Sequence, residues 1–126
     1  MLRYITAAVA QVALGKESCV YLRNLSAECG GHTHRDITRM CFAEVGIDIE
    51  FSGKDKYEKA VIIDIDDDRI EELGLDPDTF RFGETVVRIN EELSPPTEPE
   101  PEETDIVALI TELIASNILQ LKGSSK

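Results

Sequence analysis

The sequence predicts an α+β fold, a small subdomain with three or four short strands and three helices. Three observations carry this reading. Apolar residues recur at helical spacing near the start, the middle and the end of the chain. The segments between them are short, alternating or rich in β-branched residues. Glycines and an Asp76-Pro77 pair punctuate the chain at short intervals. At 126 residues and 42% hydrophobic content, one modest core is the most the chain can bury. Trp is absent and aromatics make up 6%, so that core is aliphatic.

Leu2, Ile5, Val9, Val12 and Ala13 share one helical face, and Gly15 ends the helix. Residues 19–22 are a short apolar strand, and residues 24–31 read as loop. Thr33 stands three residues before Asp36, close to a capping box. Ile37, Met40, Cys41 and Val45 then line a second helix that Gly46 closes. Residues 47–51 alternate as a strand, with Ile47, Ile49 and Phe51 on one face and Asp48 and Glu50 on the other. Residues 53–59 form a charged turn, and residues 60–65 are the strongest strand. A helical turn over 69–73 stops at Gly74, and a further strand spans 84–89. Pro95, Pro96, Pro99 and Pro101, interleaved with Glu, mark residues 94–104 as an extended linker. Thr104-Asp105 caps a last helix over 105–121, whose stripe is Ile106, Leu109, Ile110, Leu113, Ile114, Asn117 and Leu121. Residues 122–126 are expected to be a disordered tail, and residues 1–93 the body of the domain.

The 25 acidic residues outnumber the 13 basic ones, for a net charge of −12. Such a field repels nucleic acid and anionic membranes, and no basic, aromatic-interleaved surface points to nucleic-acid binding. No apolar run reaches the roughly 20 residues of a membrane span, and the first residues are too polar for a signal peptide. The expected location is cytoplasmic. Three cysteines without CxxC spacing are expected to be reduced thiols.

Two clusters have the composition of metal sites. Cys29, His32, His34 and Cys41 are zinc-type ligands, but the last two lie about 10 Å apart along a helix axis, so loop and core roles fit them better. Asp64, Asp66, Asp67 and Asp68 have no EF-hand spacing and read as a solvated turn after a strand. No metal is expected. Neither dinucleotide nor P-loop glycine patterns occur, and no nucleophile-and-base arrangement stands out.

Four ordered segments and the last helix carry motifs of one enzyme family. The first is Arg3-Tyr4-Ile5-Thr6-Ala7-Ala8-Val9, followed by Gly15 and Val20-Tyr21-Leu22-Arg23-Asn24-Leu25, similar to R-K-I-T-R-A-V and L-Y-L-G-N-L. The second is His32-Thr33-His34-Arg35-Asp36-Ile37 running to Val45-Gly46-Ile47, similar to H-[ST]-V-R-E-F and [LV]-G-I. The third is Gly53 with Glu58-Lys59, similar to a G-x-G-V-x-E-K-G turn. The fourth is Phe82-Gly83-Glu84-Thr85-Val86-Val87-Arg88-Ile89 with Pro96-Thr97-Glu98, similar to the family strand ending in R-P-[TA]-E-V. Residues 106–121 look like the family's terminal helix. Together these segments resemble the C-terminal, substrate-binding region of GDP-mannose 4,6-dehydratases, extended short-chain dehydrogenase/reductase enzymes.

The resemblance implies an NADP-dependent lyase that oxidises C4 of GDP-mannose, eliminates water across C5–C6 and returns the hydride. In that family a Rossmann domain holds the cofactor and a Tyr acts as general base. Neither the glycine fingerprint nor those catalytic residues occur here, so the expectation for this chain is no catalytic residue, no cofactor of its own and no activity alone. The substrate positions carried over are Asn24 and Glu98. A family arginine aligns with Pro95 and a family lysine with Tyr4, which implies weak GDP-mannose binding. The rival expectation is a non-catalytic interaction module, pairing with itself or with a full-length dehydratase.

Overall fold

The computed structural model describes residues 2–29, 31–93 and 105–123. Four strands form one sheet in the order β1 (Val20–Leu22), β6 (Thr85–Ile89), β5 (Lys59–Ile65), β4 (Ile47–Ser52). β1 and β6 are parallel, in the register Val20↔Val87, while β5 runs antiparallel to both of its neighbours, β6 and β4. A two-residue hairpin of β2 (Glu28–Cys29) and β3 (His32–Thr33) precedes α2 (His34–Glu44). α1 (Leu2–Ala13) packs on α2, and α4 (Ile106–Gly123) packs across both. The short α3 (Asp67–Glu72) follows β5, and 3-10 turns occupy Asp55–Tyr57 and Pro77–Thr79. The α+β architecture is the one the sequence predicts.

Alternation decides which sheet face is covered. Val20, Leu22, Ile47, Ile49, Ala60, Ile62 and Val87 are buried with the helices in one core, whereas Tyr21, Asp48, Glu50, Lys59 and Arg88 are exposed. Each fully buried Ile or Val of this set contributes about 1.5–3 kcal/mol. α2 buries His34, Ile37, Thr38, Cys41 and Phe42, and leaves Met40 half-buried. Its polar core members are satisfied locally: the Thr38 hydroxyl donates to the His34 carbonyl at 2.7 Å. The Thr33 hydroxyl accepts from the Asp36 amide at 3.2 Å, the capping contact expected from the sequence.

Gly46 joins α2 to β4 with φ +86, and a Cβ there would lie 2.9 Å from the Asp66 carbonyl oxygen. The Asp66 amide in turn donates to the Gly46 carbonyl at 2.7 Å. The acidic run after β5 is thereby tied down, and Asp66 caps α3 by accepting from the Arg69 amide at 3.1 Å. Arg69 clamps Glu44 through its carbonyl and its carboxylate, at 2.9 and 3.3 Å. Thr111 of α4 donates to the same carboxylate at 2.9 Å.

The last helix buries Ile106, Ile110, Ile114 and Ile118, a stripe at four-residue spacing, with Leu109, Leu113 and Leu121 flanking it. It runs on to Gly123, and Lys122 donates to the Gly74 carbonyl at 3.0 Å. Asp105 accepts from the Val107 and Ala108 amides at 3.1 and 3.3 Å, capping the helix as expected. The tail expected over 122–126 starts later than that, because Lys122 and Gly123 belong to α4; residues 124–126 and the expected linker over 94–104, with Thr104 and Glu98, lie outside the described residues.

Candidate functional site

A cavity of about 430 Å3 opens where the end of β1, the start of α2 and the turn after β4 meet. This is within the size range of small-ligand sites. Its cations are Arg23, Arg35, Lys54 and Lys56, and its carboxylates are Glu58 and Glu91. A local excess of positive charge on a chain of net charge −12 requires that the acidic residues be held elsewhere. The acidic run of 64–68 spans the end of β5 and the start of α3, while the cavity takes basic residues from 23 to 56.

The walls are built by local structure. β1 ends at Leu22, whose carbonyl accepts from the Asn90 amide at 2.8 Å, and Arg23 and Asn24 follow directly. The Asn24 side-chain oxygen accepts from the Ala27 amide at 2.9 Å, so it closes its own turn and leaves the side-chain N–H groups for a ligand. That turn is pinned to α2: the His34 amide donates to the Ala27 carbonyl at 2.8 Å and the Arg35 amide to the Leu25 carbonyl at 3.1 Å. The buried His34 side chain also hydrogen-bonds the Asn24 backbone, and burial holds its pKa below the ordinary imidazole value.

Arg35 is fixed by a two-pronged ion pair with Glu58, Nε to Oε2 at 2.8 Å and Nη2 to Oε1 at 2.9 Å. Its guanidinium also lies 5.9 Å from the Phe51 ring centre, on whose ring Arg39 sits at 5.4 Å. The side chains of Arg23 and Lys54 have no hydrogen bond or ion pair among the described residues. They are the cations left to meet a ligand.

Gly53 makes the turn possible. Its φ is +87, and a Cβ there would stand 2.5 Å from the Tyr57 carbonyl oxygen. The Tyr57 amide donates to the Lys54 carbonyl at 3.0 Å, closing the 3-10 turn that carries Lys56 and Tyr57.

Of the two substrate positions expected from the sequence, Asn24 lines this cavity and Glu98 lies outside the described residues. Three segments that carried the family resemblance converge here, bringing Asn24, Arg35, Gly53 and Glu58 together. Sequence reasoning missed Arg23, Lys54 and Lys56 because it looked for cations only at the positions the family uses. Lys54, Lys56 and Lys59, spaced closely after Gly53, were the available signal.

The described side chains among the suspected metal ligands do not gather into a site. His34 and Cys41 are buried on α2, His32 is half-exposed in the hairpin, and nothing is described of the Cys29 side chain. Among the described residues no three His, Cys, Asp or Glu side chains gather in a metal-binding arrangement. Burial pushes the Cys19 thiol up to about 11 and raises Cys41 further, so neither is a ready thiolate.

No family model matches this sequence. A curated protein named GDP-mannose 4,6-dehydratase, from Yersinia enterocolitica, is 32% identical over 127 aligned positions covering 78% of this chain and 32% of that protein. The chain is similar to part of that enzyme. It spans about a third of its relative's length. The relative's family implies a dinucleotide cofactor, and the residues described here do not fit one. Among the described strands the one parallel pair is β1–β6, and β1 runs into Arg23-Asn24 rather than into a glycine-rich turn and helix. No described helix is long and apolar enough to cross a membrane.

Proposed function

We propose that this chain is a ligand-binding region of GDP-mannose 4,6-dehydratase type, and that its cavity holds the diphosphate of a nucleotide sugar without performing the dehydration itself. The observation that carries the reading is convergence. Sequence-distant segments of the resemblance meet at one cavity, where the Arg23 and Lys54 side chains have no ion-pair or hydrogen-bond partner among the described residues. A charged hydrogen bond is worth about 1.5–3 kcal/mol, so two of them replace much of what the arginine and lysine missing from the family positions would supply. Arg35, already bound to Glu58, serves as a fixed wall more than as a ligand.

The chemistry of the family asks for a tyrosine that gives up its proton readily. Tyr4 is unsuited: burial raises its pKa, and its hydroxyl donates to the Tyr21 carbonyl at 3.0 Å. Both residues line a separate cavity of about 290 Å3 between α1 and β1. The role left to the chain is binding and orienting.

Calorimetry with GDP-mannose tests this. The intact chain should bind GDP-mannose and not mannose. Arg23→Ala with Lys54→Ala should weaken binding at least roughly 10-fold per lost contact. Equal binding by the double variant would refute the assignment. An intact chain that ignores GDP-mannose but captures a full-length dehydratase would favour the interaction module instead.

A further inference from the structure

Tyr57 is 74% exposed, an unusual state for one of the few aromatic residues in the chain. It does not hang from a loose loop. The turn beneath it is closed by the hydrogen bond that its backbone N–H donates to the Lys54 carbonyl, and by Gly53 packed against its own carbonyl. The next residue, Glu58, is locked to Arg35. The ring therefore projects from a rigid base, as a preformed contact surface does. The Lys56 ammonium sits 5.3 Å from the ring centre, and Lys56 also lines the cation-rich cavity. Ring and cavity are thus neighbours sharing one side chain.

We propose that Tyr57 is a stacking platform for the nucleobase of a ligand whose phosphate groups occupy the cavity. This rests on the reading of the cavity as a phosphate site. An aromatic face receives any base through its π-surface, and a cation beside it strengthens the contact. A single nucleotide is the fitting ligand. A longer nucleic-acid strand would leave the cation island and meet the net −12 surface. The platform sets a preference for nucleoside diphosphates over bare diphosphate.

The test titrates the intact chain with GDP and with inorganic pyrophosphate, for the native sequence, Tyr57→Ala and Tyr57→Phe. Because the ring is exposed, neither change disturbs the core. Tyr57→Ala should weaken GDP binding about 5- to 100-fold and leave pyrophosphate unchanged, while Tyr57→Phe retains GDP binding. If Tyr57→Ala leaves GDP affinity intact, or weakens both probes equally, the stacking role is overturned and the phosphate cavity stands. Failure of both probes to bind the native chain overturns the stacking role and the cavity reading together. Tighter binding of a short oligonucleotide than of GDP overturns the single-nucleotide assignment.

Discussion

Replacing Glu58 by Gln should move stability and anion binding in opposite directions. The substitution keeps the side chain's shape and one acceptor oxygen but removes its charge. In the native chain Glu58 holds Arg35 through contacts of 2.7–2.9 Å, with side-chain exposures of 13% and 33%. A fully exposed pair would be worth about 0–1 kcal/mol, whereas hydrogen bonds to charged groups reach about 1.5–3 kcal/mol. A half-covered pair that retains one neutral bond after mutation should lose about 1–2 kcal/mol. For a domain of this size that corresponds to a fall in Tm of about 4–8 °C. Arg35 is meanwhile freed on the wall of a cavity that has lost one of its two carboxylates. At about 4 Å and an effective dielectric near 20, one added charge is worth at most about 4 kcal/mol before screening. Salt and solvent access reduce this, so a gain of about 3- to 10-fold in pyrophosphate affinity is expected. Thermal melts followed by circular dichroism, with calorimetry at two salt concentrations, read both effects. An unchanged Tm would show that the pair does not hold the turn to α2. Weaker anion binding would show that Glu58 does not restrain Arg35, and the electrostatic account of the cavity would fail.

Gly53→Ala should cost about 2 kcal/mol or more, because φ is +87 and the new Cβ would collide with the Tyr57 carbonyl; urea unfolding measures it. Ile110→Asp with Leu113→Asp puts charge into the α4 seam, where Ile110 is buried and Leu113 half-buried, and should remove several kcal/mol. A thermal melt with light scattering checks this, and an unchanged Tm and molar mass would mean that α4 is undocked. His34 gives acid sensitivity. Its folded pKa lies below the ordinary 6.5, so its neutral form contributes stability that is fully present above 6.5 and lost as pH falls toward the lowered folded value. Native Tm should therefore drop more between pH 7 and 5 than that of His34→Gln, and equal drops would exclude His34 as the source.

The strands and three main helices were legible because one-sided burial writes a period into the sequence. Residues 2–13 and 47–51 are the clearest cases, since each buries a single face. The α2 face was only partly legible. Thr38 and His34 are polar and were left out of the predicted core, yet helix back-bonding and a loop carbonyl satisfy them there. Ile118 was missed in α4 because Asn117 and Leu121 fit a wider stripe, while packing on α1 and α2 selects strict four-residue spacing. The hairpin over 28–33 left no periodic signal, since two-residue strands are too short to show one. The cavity was half legible. Asn24, Arg35 and Glu58 could be found through motifs, but the proximity of Arg23 to Lys54 is a product of sheet order and turn geometry, which composition does not encode.

The Arg23–Lys54 cavity is proposed to receive the diphosphate of a nucleotide sugar. Amide chemical shifts of the isotopically labelled chain during a GDP-mannose titration test it most directly. The account predicts saturable shifts concentrated at residues 23–26, at Arg35 and at residues 53–58, with the Tyr4 and Tyr21 region unmoved. Shifts centred on that second cavity, or none at millimolar ligand, would contradict it.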